Sequence, residues 1–199
     1  MAHNYLESVV KTNRWLKIGE LVSDAIDPIE LDQVYTRLHL IGGARFEEGP
    51  EGGPNDPQAP DHERERTVED VLGTHPDVVL IGDPGSGKTT VLRWVAQNLA
   101  RAHRGESERL AEIGLDGPPP FPVHIELARF AEWLEKNEVD GVDAAAPDHL
   151  YRRLGTLQEE NPAWKLPTGY LPDQVRRGGC FLLFDGLDDD DLAPGLDGL

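Results

Sequence analysis

The apolar positions of this chain move between helical and strand-like periods. Tyr5, Leu6, Val9 and Val10 recur at the three-to-four spacing of one helix face. Val34, Thr36, Leu38 and Leu40 alternate with Tyr35, Arg37 and His39, a period of two that suggests a strand, with a helix from Ile29 as the alternative. Thr67 and Asp70 form a helix-start pattern for a short helix to Leu72. The run Val78-Val79-Leu80-Ile81, bounded by Pro76-Asp77 and Gly82, has the continuous apolar character of a strand buried on both faces. A glycine-rich turn then leads into a predicted helix over about 87–103, with Val91, Leu92, Val95, Ala96 and Leu99 on its apolar face. A second strand is predicted from Phe121 to Leu127, and helices near Ala128–Lys136, His149–Leu157 and Gly169–Arg177. The run Cys180-Phe181-Leu182-Leu183-Phe184 reads as the third strand. Strands alternating with helices imply a parallel sheet, and no internal repeat is evident.

Two stretches break this pattern. Residues 47–63 read EEGPEGGPNDPQAPDHE, with four prolines, three glycines and almost nothing apolar. Such a segment buries too little surface to offset the ordering of its backbone, so a linker is expected. Residues 186–199 contain five aspartates, three glycines and one proline, the composition of a solvated tail. The chain therefore divides into an N-terminal region (1–46), a flexible acidic Pro/Gly linker (47–66) and an α/β unit (67–199).

Composition narrows the chemistry. The chain has 199 residues, room for one ordinary domain, and 38% of them are hydrophobic, enough for a modest core. Lys+Arg is 19 against Asp+Glu 37, a formal charge of −18. That balance argues against direct nucleic-acid binding, which rests on neutralising phosphates, and gives no attraction to an anionic membrane. Cys180 is the single cysteine, so an intramolecular disulfide and a cysteine zinc cluster are excluded. No run of about 18 apolar residues is present. The first 30 residues lack a basic start followed by an apolar stretch. A soluble cytoplasmic protein without membrane contact is the expectation.

The strongest chemical signal is Gly82-Asp83-Pro84-Gly85-Ser86-Gly87-Lys88-Thr89, which matches G-x-x-x-x-G-K-[ST]. Glycines let the backbone wrap a phosphate and aim successive N–H groups inward, and the following helix points its positive end at the same place. Lys88 would set an ammonium on the β- and γ-phosphates, Thr89 would ligate Mg²⁺, and Thr90 would reach the α-phosphate region. The apolar strand before the motif and the amphipathic helix after it are the context such a loop requires. A second signal is Phe181-Leu182-Leu183-Phe184-Asp185, an apolar strand ending in a carboxylate, the Walker B pattern whose Asp holds Mg²⁺. Gly186 lets the strand end turn close to the phosphates, and the acidic pair Asp188–Asp189 can polarise an attacking water. The expected fold is α/β, a P-loop NTPase parallel three-layer sandwich, incomplete at the C-terminus, with a small, mostly helical N-terminal region.

Other chemistry-bearing residues have plainer readings. His39, His75, His124 and His149 are scattered without the i, i+4 spacing of a metal helix. Cys180 reads as a small core residue, and Trp94 and Trp133 as packing residues. Arg152 and Arg153 read as a solvated face.

An apolar strand followed by Asp185-Gly186-Leu187-Asp188-Asp189 resembles the D-G-L-D-E turn of NACHT domains, a branch of the STAND class of signalling P-loop NTPases. The segments VVLIGDPGSGKTTVLRWVAQNLA and FPVHIEL (121–127) are similar to the same family, as is the layout of YLESVV and ELDQVYTRLHL. The resemblance implies that Gly87, Lys88 and Thr89 bind phosphates and magnesium, that Asp185 holds Mg²⁺ through water, and that Asp188 lies near the attacking water. It implies a switch that rests with ADP, exchanges it for ATP and then oligomerises or engages a protein partner, in bacterial defence or regulation. Asp189 stands where the family has Glu, one methylene longer, which implies tight binding with slow hydrolysis. The wider group also places a further strand between the two Walker strands. The sequence runs only from 186 to 199 beyond Asp185, so a truncated member of the family is the expectation. Other P-loop ATPases, such as an AAA+-like enzyme or a small-molecule kinase, and a non-catalytic binding module are the alternatives. A transporter ATPase would need an LSGGQ-like motif and a GTPase an N-K-x-D motif; neither is present, so ATP is expected over GTP.

Overall fold

The computed structural model describes residues 2–16, 29–35, 39–40, 66–137 and 146–186. Predictions for the linker over 47–65 and for the acidic tail from 187 onward lie outside these residues.

Helix α1 (His3–Asn13) buries Tyr5 and Leu6, with Val9 and Val10 partly covered, as the spacing predicts. Strand β1 (Trp15–Leu16) pairs antiparallel with β2 (Ile29–Glu30). Residues 36–38 of the alternating stretch lie outside the described residues, and the helical alternative from Ile29 is realised over Leu31–Val34. Leu31–Val34 forms a single helical turn, α2, anchored by fully buried Leu31, whose N–H donates to the Arg14 carbonyl at 2.8 Å. Leu31 is buried with Val68, Val91 and Leu99. Strand β3 (His39–Leu40) then pairs antiparallel with β4 (Arg66–Thr67).

Helix α3 (Val68–Thr74) starts where Thr67 and Asp70 place it. The Asp70 N–H donates to Thr67 Oγ1 at 3.2 Å, and the Thr67 N–H donates to Asp70 Oδ2 at 3.1 Å. Such a reciprocal cap contributes about 1 kcal/mol. Helix α4 (Lys88–His103) buries Val91, Trp94, Val95, Ala96 and Leu99. Helix α5 (Glu108–Glu112) was not anticipated, being too short to show a period; Leu110, with Ile113 just beyond its end, buries it against α4. Trp94 is a packing residue, stacked on Tyr35 with ring centroids 4.0 Å apart.

Strands β5 (Phe121–Glu126) and β6 (Cys180–Asp185) form a parallel pair, with Phe121 opposite Cys180 and Glu126 opposite Asp185. Between them run α6 (Leu127–Lys136), α7 (Pro147–Glu160), a 3-10 turn (Pro162–Trp164) and α8 (Tyr170–Arg176). The alternation of strand side chains divides the core. On one face Leu183 and Phe181 join the α4 cluster. On the other, Phe121, Val123 and Ile125 pack with Tyr5, Leu6, Leu154 and Leu171. Helix α1 is thus part of the same core as β5. The Tyr5 hydroxyl donates to the Pro122 carbonyl at 2.9 Å, and its ring stacks on Phe121.

One predicted element is overturned. Residues 78–81 form no strand, and Val79 and Ile81 are 75% and 73% exposed. The reason is lateral: the parallel sheet comprises β5 and β6, and 78–81 belongs to no ladder among the described residues. Leu80 alone of this run packs against the α4 cluster. The architecture is mixed α/β with a small parallel sheet.

Candidate functional site

The glycine-rich turn opens directly into α4. Gly85 and Gly87 have φ of +81° and +94°, a region that side chains with a Cβ rarely adopt, and Gly87 is the residue that starts the helix. The Ser86 N–H donates to the Asp83 carbonyl at 3.0 Å, closing the turn. A Cβ at Gly82 would come within 2.9 Å of Ser86 Oγ, so this position is tight as well. Asp83, Pro84, Gly85 and Ser86 are exposed, while Gly82, Gly87, Lys88 and Thr90 are partly covered. The Lys88 ammonium folds back over the loop, donating to the carbonyl of Gly82 and, at 3.2 Å, to that of Asp83. The positive end of α4, a helix of 16 residues, faces the same turn.

Sequence positions 96 apart meet at the end of β6. Thr89 Oγ1 donates to Asp185 Oδ1 at 2.8 Å. The structure therefore brings Lys88, Thr89 and Asp185 to one place, the first turn of α4 against the last residue of β6. Asp188 and Asp189 lie outside the described residues. A hydroxyl and a carboxylate, both oxygen donors, suit Mg²⁺, which binds through one or two protein groups together with phosphates and water. Among the described residues no group of three or more His, Cys, Asp or Glu is placed to hold a metal ion.

Sequence reasoning missed two neighbours of Asp185. His124 Nε2 on β5 lies 3.6 Å from Asp185 Oδ2. That is longer than a hydrogen bond, and Nε2 is buried with no hydrogen-bond partner among the described residues. The second is Arg93, one helical turn beyond Thr89. The His124 ring is the largest influence holding the Asp185 carboxyl below its ordinary value, with the Thr89 hydroxyl and the charge of Arg93 acting in the same direction and burial opposing them. The signal for His124 was register: with His124 opposite Leu183, Asp185 stands on the same sheet face one diagonal step away. No single-strand pattern carries that information.

The remaining candidates have quieter surroundings. Cys180 is half-buried, and burial pushes its thiol up to about 11, so it stays protonated and unreactive at neutral pH. Arg152 covers the Trp133 ring at 5.6 Å, a packing role. Arg153 pairs with Glu160 at 3.0 Å. Asp32 of α2 receives Arg101 and, at 3.2 Å, Arg109, tying α2 to the far end of α4 and to α5. A cleft lined by His3, His103, Phe121 and Tyr170 lies at the start of β5, at the opposite end of the strand pair from Asp185. Among the described residues no helix is long and apolar enough to cross a membrane. No family model, curated protein or solved structure matches this chain.

Proposed function

We propose that the Gly82–Thr89 turn binds the phosphates of ATP with Mg²⁺, within a STAND switch of the NACHT type built on a P-loop sandwich. The observation that carries this reading is the Thr89–Asp185 contact at 2.8 Å, which joins the two sequence motifs in space. The loop N–H groups and the helix end hold phosphate oxygens. Lys88 exchanges its loop carbonyls for the β- and γ-phosphates, and Thr90 serves the α-phosphate. Thr89 and Asp185 would hold Mg²⁺, which would supply neutralisation of phosphate charge. Asp188 and Asp189 orient the attacking water, and the short Asp189 keeps hydrolysis slow. ADP marks the resting state and ATP the active one, because the γ-phosphate supplies the differential affinity a switch requires. In this reading the protein works in the cytoplasm, with a protein partner or a second copy as its output.

Titration with a fluorescent ATP analogue tests the proposal. The wild-type chain is expected to bind with Mg²⁺, and Lys88→Ala to lose at least tenfold in affinity. Absence of nucleotide binding by the wild-type chain overturns it. The exposure of Val79 and Ile81 beside the loop favours a second reading, a non-catalytic module that captures a protein partner. Partner capture that survives Lys88→Ala without change selects that second reading.

A further inference from the structure

Asp185 has two carboxylate oxygens, and among the described residues only one has a close hydrogen-bond partner. Oδ1 accepts from Thr89 at 2.8 Å. Oδ2 faces His124 Nε2 at 3.6 Å, and the His124 and Asp185 side chains are only 20% and 15% exposed. A ring nitrogen buried without a hydrogen-bond partner is costly unless something compensates it. The nearest acceptor it faces is Oδ2, and a shift of well under 1 Å would turn the contact into a hydrogen bond. The arrangement is held by the fold rather than by side-chain reach. The parallel register sets His124 opposite Leu183, so both His124 and Asp185 project to the α4 side of the sheet.

We propose that His124 is a positioning residue for Asp185, its Nε2–H holding Oδ2 so that Oδ1 stays aimed at Thr89 and at the cation these two residues would share. The proposal rests on the nucleotide reading above. A carboxylate that can rotate presents its charge over several directions. One fixed by a second donor presents one oxygen lone pair where the metal needs it. Outer groups of this kind commonly change metal affinity by about 10–100-fold when removed. His124 does not touch nucleotide or metal in this arrangement; it acts through Asp185.

The experiment measures affinity for a fluorescent ATP analogue with Mg²⁺ and with EDTA, on the full chain. It compares the wild type with His124→Leu, His124→Gln and Asp185→Asn. Leu removes the donor at similar size; Gln returns an N–H near the position of Nε2. The expected result is that His124→Leu weakens Mg²⁺-supported binding by roughly 10-fold or more, leaves binding in EDTA unchanged, and is largely rescued by His124→Gln. In an Asp185→Asn background, His124→Leu should add almost nothing, because the two groups act as one unit. Equal losses with and without Mg²⁺, or a Gln variant as weak as Leu, overturn the proposal and make His124 a packing residue. Unchanged Mg²⁺-supported binding in His124→Leu also overturns it. A wild-type chain that binds in neither buffer overturns the nucleotide reading itself, an outcome distinct from all of these.

Discussion

Two apolar runs of this chain look alike and end differently. Residues 180–184 become a strand, hydrogen-bonded to β5, with Leu183 only 3% exposed. Residues 78–81, just as apolar and richer in β-branched side chains, form no strand and leave Val79 and Ile81 open to solvent. The difference lies in their neighbours. Residues 180–184 have β5 beside them, the α4 cluster on one face and the α7–α8 cluster on the other. Among the described residues, run 78–81 has only the α4 cluster, and that through Leu80. Apolar content states a demand for burial; it does not supply the surface that satisfies it. Even β6 shows the limit, since Phe184 is 39% exposed near its end.

The largest expected effect comes from Leu183. Its truncation, Leu183→Ala, removes buried methyl groups from the contact between β6 and α4 and should destabilise the chain by about 2–5 kcal/mol in urea unfolding. A loss under 1 kcal/mol would place this strand in the same loosely covered class as 78–81.

Hydrogen exchange then sharpens the contrast without mutation. Amides in the β5–β6 ladder should exchange slower than those of 78–81 by on the order of 100-fold or more, because the ladder opens only with larger unfolding events. Equal protection of the two runs would mean that 78–81 finds a ladder partner in solution.

How far the sequence disclosed this protein follows the same division. Local signals were legible. The Thr67–Asp70 cap started α3, and the period of Val91, Val95 and Leu99 located α4 to within one residue of its start. The glycine-rich turn and the terminal Asp185 were readable as a pair, and Thr89 and Asp185 do lie 2.8 Å apart. Apart from that one motif pair, signals that depend on a second segment were not legible. The helical turn at Leu31–Val34 depends on the burial of Leu31 against α3 and α4. The exposure of Val79 depends on what lies beside it, and the placing of His124 depends on the register of two strands 54 residues apart or more. Helix α5 was missed because five residues are too few for a period to show.

Cys180 offers a smaller test from inside β6. Its thiol is pushed up from 9.0 to about 11 by burial. A raised acid value means that the folded chain keeps this proton longer than the unfolded one. This group's contribution to stability is therefore complete below about pH 9 and falls as pH climbs from there through about 11. Thiol-directed reagents should label Cys180 slowly at pH 8, with a rate that climbs about tenfold per pH unit and levels off only near pH 11. Fast labelling at pH 8 would show that the first residue of β6 opens as readily as the exposed run.

The smallest expected effect is the most discriminating. Val79→Thr keeps the β-branched shape and exchanges one methyl for a hydroxyl. At a site 75% exposed the hydroxyl stays hydrated, so unfolding free energy should move by less than about 0.5 kcal/mol. The same exchange at Val95, 1% exposed within the α4 cluster, buries a hydroxyl and should cost about 1–3 kcal/mol unless the hydroxyl reaches a backbone carbonyl one turn back. Measured side by side, the pair separates propensity from cover, since both sites start as valine and end as threonine. If Val79→Thr costs as much as Val95→Thr, the apolar run beside the glycine-rich turn is covered in solution. Repeating the unfolding at several protein concentrations then tells whether a second copy does the covering, because only that cover makes the cost rise with concentration.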